Sequence, residues 1–363
     1  MSNILKWIRL IIIILPTFIF LCGINYYEDP ANIFHNNSKN VAESILNGKE
    51  AYFGSGNGDE RDVKYNTIEG LPKHLDCITL GPSLAMGIRT YDVGTNSYHN
   101  LSASGLNFND FMGQIAMLEA YGVKYDRVVF CVDSYFFDET FAVGARNEFI
   151  MPYAEYMISK LDGENPAMPE VSPDNGDIKT QIEQFFSITY FQSSVDLIRN
   201  NNSIFLPAAR WGVIDESTQD LAHYAVDGSW VYAADYRDNT VDDVVNAANE
   251  YPIETQFAYD RHLSDYYKVH FKKLIKYLLD NGVEVEFFLC PLCPTLWDRL
   301  EADSEHYFML DEIEEYAHEV ADEYDIKLTG SYDPYIVGVS DADFWDARHM
   351  QHDKLSEFFD FME

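Results

Sequence analysis

Four short apolar runs, separated by segments with helical spacing, constrain this chain more than any other feature. They are Asp76–Gly81 (DCITLG), Arg127–Val132 (RVVFCV), Val283–Cys290 (VEVEFFLC) and Ile326–Gly330 (IKLTG). Compact runs rich in Val, Ile and Phe suit strands buried on both faces. A weaker strand-like piece, SYHNLS, covers Ser97–Ser102. Between the runs, Phe108, Phe111, Met112, Ile115 and Leu118 give helical spacing over Asn107–Tyr121. Further amphipathic patterns cover Asp260–Asn281, ahead of a Gly282 stop signal, and Met309–Tyr324. Alternation of this kind predicts an α/β fold: a three-layer α/β/α sandwich around a parallel sheet.

The segment from Asp138 to Tyr259 breaks the rhythm. It is rich in aromatic, Asn and Asp residues and carries Pro166, Pro169, Pro173 and Pro207. We read it as a large insertion, about residues 138–259, beside the sheet's carboxyl edge, where α/β proteins build their sites. A helical cap without a substrate role is the alternative. Its Trp211, Trp230, Tyr224, Tyr232 and Tyr236 suit either sugar stacking or the insertion's own core. Arg210 and Arg237 suit either an anionic sugar or neighbouring carboxylates.

Charge gives an orientation. There are 60 Asp and Glu against 25 Lys and Arg, a net charge of −35. So acidic a surface repels a phosphate backbone and no basic stretch offsets it, which excludes general nucleic-acid binding. Only Lys6 and Arg9 are charged before Glu28, and Ile8–Tyr27 is an apolar stretch of roughly the 20 residues that span a bilayer. Cations before it and acids after it predict a single-pass anchor with the N-terminus inside and the acidic body outside. A cleaved signal peptide competes, but no small-x-small site follows the apolar run. Residues 1–27 therefore read as tip and anchor, 28–72 as a polar stalk and lead-in, and 73–363 as the α/β domain.

Two blocks carry the chemistry. In Thr79-Leu80-Gly81-Pro82-Ser83-Leu84-Ala85-Met86-Gly87 a strand ends, a serine follows, and a helix-compatible run begins. That placement offers a hydroxyl to substrate beside backbone N–H groups able to hold an oxyanion, although a serine there also serves as an ordinary N-cap. Near the end of the chain, Asp346-Ala347-Arg348-His349 spaces a carboxylate and an imidazole so that, in a turn, the Asp orients the ring and its far nitrogen faces the serine.

The early serine combined with the late Asp-x-x-His resembles the SGNH/GDSL hydrolase superfamily. Within it, the chain is most similar to membrane-anchored DltD-like and alginate-acetylation-like extracytoplasmic proteins of bacterial envelopes. Tyr26-Tyr27-Glu28-Asp29-Pro30 after the apolar run and Gly330-Ser331-Tyr332-Asp333-Pro334 resemble segments of those relatives. The resemblance implies Ser83 as nucleophile, His349 as base, Asp346 as its orienter, and Gly105 as a second-block donor to the oxyanion. Where the superfamily carries Gly-x-Asn-Asp, this chain reads Cys131-Val132-Asp133-Ser134. A carboxylate cannot donate a hydrogen bond unless protonated, so Ser134 is the substitute candidate for the third donor. Asp133, Arg348, Trp230 and Arg210 are candidate substrate contacts. The implied function is acyl transfer or acyl-ester hydrolysis, with O-acetyl the first choice, on a cell-envelope polysaccharide. The implied partners are an acyl donor and a membrane-bound O-acyltransferase, and no cofactor is implied. A catalytically inactive glycan-binding or scaffold subunit is the alternative. An acidic body disfavours a strongly anionic polymer unless Arg210, Arg237 or Arg348 makes a local exception.

Other groupings compete for attention. Asp346, His349, His352 and Asp353 could pass for a metal cluster, but zinc needs three or four converging ligands, and we expect His352 to open the last helix with its side chain in solvent. No metal is expected. Cys290-Pro291-Leu292-Cys293 follows a strand, as a redox pair does. We read it as a loop bordering the site, with a membrane-tethered thiol oxidoreductase the weaker alternative. Cys77 and Cys131 read as buried hydrophobes. His99 reads as a packed, satisfied histidine.

Overall fold

The computed structural model describes residues 2–31, 33–35, 37–53, 59–142, 149–170, 178–200, 211–257 and 259–359. Nine strands lie among them: β1 (Ala51–Phe53), β2 (His74–Leu80), β3 (Tyr98–Asn100), β4 (Lys124–Cys131), β5 (Trp211–Val213), β6 (His223–Tyr224), β7 (Trp230–Val231), β8 (Glu284–Leu289) and β9 (Lys327–Gly330). Five of these form a parallel sheet in the order β3-β2-β4-β8-β9. The protein is therefore an α/β protein, as the alternation predicts. Its central strands lack polar alternation because they are covered on both faces: Val128–Cys131, Ile78, Leu80 and Phe287–Leu289 are all fully buried.

Local signals set the helix limits. The helix Phe108–Ala120 starts at Asn107, whose side chain caps Asp110 N while Asp110 caps Asn107 in return. The helix expected from Asp260 begins only at Asp265. Asp260 sits in the left-handed region (φ +53°), and Ser264 is the residue that caps the first turn. Met309–Tyr324 forms a helix with the expected limits.

The order of the sheet decides where a site can lie. The chain moves from β2 outward to β3, then returns to the other side of β2 with β4. The carboxyl ends of β2 and β4 therefore flank a topological switch point, the crevice where open α/β sheets bind ligands. Ser83 follows β2, and Asp133 follows β4.

The lead-in is folded structure, not a bare tether. It contains the helices Asn37–Leu46 and Glu60–Gly70 with β1 between them. β1 enters a second, antiparallel sheet, β5-β1-β6-β7, whose other strands come from the insertion. Strands of two or three residues carry too little periodicity to show in a sequence. Two buried cations tie this region down. Arg61 pairs with Asp110 (3.3 Å), and the Lys64 ammonium donates to Asn100 O (2.9 Å) and to Gly228 O. Burial lowers the Lys64 pKa to about 7, with Glu60 and Asp227 opposing the shift.

The expected anchor region forms one helix, Ser2–Glu28, with Pro16 inside it. Among the described residues no helix is long and apolar enough to cross a membrane. The side chains of residues 1–11 and of Ile13 lie outside that description.

The turn between β6 and β7 locks the insertion against the sheet. Gly228 has φ +78°, and a Cβ there would lie 2.4 Å from His99 Nε2 and 2.7 Å from Asn100 O. Gly228→Ala is expected to destabilise the protein by about 1–3 kcal/mol, as imposed left-handed strain does, read from urea denaturation midpoints.

Candidate active site

Gly81 controls the approach to the serine. A Cβ on it would meet Ala85 Cβ at 2.6 Å and Cys131 Cβ at 2.7 Å, so no larger residue fits between β4 and the serine turn. Pro82 is extended, and Ser83–Ala85 follows as a single 3₁₀ turn where the sequence suggested a longer helix. A first turn leaves its leading N–H groups without partners inside the helix. Asn100, at the end of β3, holds the turn from below. Its amide donates to Ala85 O (2.8 Å) and Ile88 O (2.9 Å), and its Oδ1 accepts from Ser102 N (2.8 Å).

The other half of the site is a tight reversal closed by a bridge between Phe344 and Met350 and by Trp345 N donating to His349 O (2.8 Å). Asp346 Oδ1 accepts the backbone N–H groups of Arg348 and His349, both at 2.7 Å, which fixes the carboxylate. Its Oδ2 lies 2.9 Å from His349 Nδ1, and His349 Nε2 lies 2.9 Å from Ser83 Oγ. Ser83, His349 and Asp346, 263 residues apart along the chain from first to second block, thus form one hydrogen-bonded series. Ser83 is half-buried.

The insertion adds a fourth member. Tyr236 donates its hydroxyl hydrogen to Asp346 Oδ2 and lies 3.2 Å from His349 Nδ1. Burial works to raise the Asp346 pKa, but the His349 hydrogen bond and charge, joined by Tyr236, overcome it and hold the carboxyl well below its usual range. Tyr232 stacks on Tyr236 (centroids 4.9 Å, 18°) and tilts against Trp345 (5.0 Å) and His349 (5.6 Å). The imidazole therefore has an aromatic wall on one side. Trp230 N donates to Met86 O (2.7 Å), so the same insertion also braces the serine turn.

Asn100, Tyr236 as a carboxylate partner, and Trp345 were not singled out from sequence in these roles. Asn100 had one usable signal, a polar residue ending the SYHN strand; Tyr236 and Trp345 had none, being brought in over more than a hundred residues or from a bulky residue beside the motif.

The third block departs from the resemblance in a definite way. Asp133 is 1% exposed and its Oδ2 takes the Arg348 guanidinium at 2.6 Å, with Arg348 itself buried and its Cζ 5.3 Å from the centre of the Phe257 ring. Ser134 donates its hydroxyl to Asp133 Oδ1 (2.9 Å) and is 1% exposed, so that hydroxyl is already committed. Asp133 and Arg348 therefore face each other and not a substrate. Gly105 lies in the loop after β3 that runs beside the serine segment, with Ala103 N donating to Gly81 O (3.2 Å). Gly105 has φ +60°, and its carbonyl accepts from Arg61.

The remaining candidates separate cleanly. Trp230 is half-buried and, with Trp211, packs on the small core around Tyr224, which is fully buried. Arg237 is exposed, and Arg210 lies outside the described residues. His352 does open the last short helix, but its side chain is half-buried and not free in solvent: it faces Tyr91, and burial lowers its pKa to about 4. His99 is buried with its Nε2 lacking a partner, and burial lowers its pKa to about 3, so it is packed but not satisfied. Cys290 and Cys293 are free and buried, and burial pushes both thiols up to about 12, the reverse of what a redox pair needs. Their loop borders the site, close enough for Cys290 to sense Arg348 and Asp133. Among the described residues, the group of His, Asp and Glu that converges well enough to suggest a cation is His74, Asp76 and Asp126, exposed at the opposite end of the strands.

No protein-family model matches the chain, and no curated protein matches its sequence.

Removing one member of the Asp133–Arg348 pair leaves a buried charge uncompensated. Arg348→Met alone is expected to cost about 3–5 kcal/mol, while the double variant Asp133→Leu, Arg348→Met recovers most of it; chemical denaturation of the three proteins measures both. The depressed Asp346 pKa stabilises the fold above the ordinary carboxylate range, and the gain is lost as pH falls through the folded-state value. Asp346→Asn should therefore lower the melting temperature at pH 7, with the gap to the unsubstituted protein narrowing below about pH 4.

Proposed function

We propose that this protein is an extracytoplasmic, serine-dependent enzyme that transfers or hydrolyses an acyl group, O-acetyl first among the choices, on a cell-envelope polysaccharide. Its α/β domain is read as a three-layer SGNH-type sandwich. The observation that carries the reading is the series Ser83 Oγ, His349 Nε2, His349 Nδ1, Asp346 Oδ2 at a topological switch point.

The mechanism follows from that geometry. As Ser83 Oγ attacks an ester carbonyl, its proton passes to His349 Nε2, while Asp346 keeps the Nδ1 proton in place and stabilises the imidazolium. The tetrahedral oxyanion forms beside the Ser83 turn, where the Ser83 and Gly105 N–H groups are the proposed donors. His349 then returns the proton to the departing alkoxide. Water or a glycan hydroxyl next attacks the acyl-serine, His349 taking its proton and passing it to Ser83 Oγ as the acyl–oxygen bond breaks.

Arg348 is engaged by Asp133 within the fold, so it offers no local exception to the acidic surface. A neutral or cationic glycan is the favoured substrate class. The N-terminal helix is read as a single-pass anchor with the domain outside the membrane, beside a membrane-bound O-acyltransferase that supplies acyl groups.

Fluorophosphonate labelling with acetyl-ester turnover tests the chemistry. We expect stoichiometric modification of Ser83, and loss of at least about a thousandfold in kcat in Ser83→Ala and in His349→Ala. Absence of labelling, with turnover unaltered in both variants, would remove the enzymatic reading and favour the non-catalytic glycan-binding subunit.

A further inference from the structure

The helices Ile178–Phe185 and Ile188–Asn200 form a corner against the N-terminal helix. The corner bears an apolar row in the open: Ile178 is 76% exposed, Ile182 53%, Phe186 48% and Ile188 67%. Ile178 and Ile182 are four residues apart on the first helix and share one face, and Phe186 follows in the turn between the two helices. Phe186 stacks on Phe18 of the N-terminal helix (centroids 5.3 Å, 9°). The row therefore continues into that helix's own exposed residues, Ile14, Leu15, Phe18, Ile19 and Phe20.

Several backbone carbonyls and N–H groups of the corner are met within the fold, although Asn25 Oδ1 is buried without a partner. Helix ends normally leave carbonyls to solvent. Here the amide of Asn25, fully buried, donates to the carbonyls of Gln184 (3.0 Å), Phe185 (3.2 Å) and Ser187 (2.9 Å). Tyr190 donates its hydroxyl to Asp29 Oδ1 (2.6 Å), and Asp29, also fully buried, accepts three further backbone N–H groups, of Ile33, Phe34 and His35. At about 1.5 Å of rise per residue, Phe18 lies roughly 10 Å further into the apolar stretch than Asn25. The charged side chains on the first corner helix, Lys179 and Glu183, lie 3.8 Å apart and cancel. A face without net charge on a protein of net charge −35 suits a surface that is itself net neutral.

We propose that this corner lies in the interfacial layer of a zwitterionic lipid bilayer, alongside the N-terminal helix, with Ile178, Ile182, Phe186 and Ile188 among the acyl chains. The protein is then held to the membrane at two places, and the insertion that carries Tyr236 is fixed in height above it. An interfacial helix of this kind binds through its apolar face while its polar face stays wet. The inference rests on the membrane-anchor part of the proposed function and is independent of the acyl chemistry.

The test uses the full-length protein in phosphatidylcholine vesicles containing nitroxide-labelled lipid, with an environment-sensitive fluorophore on a substituted cysteine. Sites are Ile182→Cys on the corner, Ile14→Cys on the N-terminal helix and Ile336→Cys as an exposed apolar control far from both in sequence (71% exposed). The unsubstituted protein reports any labelling of its five buried thiols. We expect blue-shifted, nitroxide-quenched emission at positions 182 and 14 but not at 336. Quenching at 14 with position 182 matching 336 would overturn the inference and leave the anchor intact. Quenching at neither would overturn both, and equal quenching at all three would mark non-specific adsorption and also overturn it.

Discussion

The buried ion pair between Asp133 and Arg348 is the constraint on which the site depends. It joins the carboxyl end of β4 to the residue immediately before His349. The imidazole belongs to a loop that Tyr236 and Asn239 tie to the insertion, and the ion pair ties the same loop to the sheet. A charge pair 2.6 Å apart, shielded from water, does so with a directional penalty for any displacement: moving either group leaves an unpaired charge in a region of low polarity. Asp133, at the position the proposed reading would expect to hold a neutral donor, is here a structural anion. A register function and an oxyanion function cannot both be served by one carboxylate. The site is correspondingly narrower in its donors, with the serine turn and the Gly105 loop the remaining candidates.

Much of this was legible in the sequence, for identifiable reasons. Four of the five strands of the parallel sheet lie within or beside an expected apolar run, because burial on both faces removes most of the polar residues that would blur it, whereas β3 carries the buried polar pair His99 and Asn100 and gives only a weak strand-like pattern. Met309–Tyr324 was readable to the residue because its apolar stripe is continuous. Ser83, Asp346 and His349 were readable because each block is local: a strand end followed by a serine, and a carboxylate three residues before a histidine. What stayed hidden depends on pairing across distance. β1 joins strands more than 150 residues away in sequence, Tyr236 reaches Asp346 from the insertion, and Lys64 meets carbonyls at the end of β3 and in the β6–β7 turn. The solvent position expected for His352 failed for the same cause, since Tyr91 covers it from another part of the chain.

The insertion is better described as a second wall than as a cap. Its small sheet takes β1 from the lead-in, so three stretches of chain, the lead-in, the insertion and the sheet core, are interlocked through Lys64, Gly228 and Asn100. Aromatic side chains of the insertion divide between two tasks. Tyr224 fills a core, whereas Tyr232 and Tyr236 face the imidazole loop. Aromatic richness in the segment thus has two physical origins that composition cannot separate.

The insertion touches both halves of the hydrogen-bonded series, the serine turn through Trp230 and the carboxylate through Tyr236. Opening the insertion would therefore loosen the nucleophile's backbone and the histidine's orienting partner in a single event. Under the proposed acyl chemistry, local folding and reactivity are then linked: a molecule with its insertion undocked loses two supports of the series at once, and the fraction docked bounds the turnover of the population.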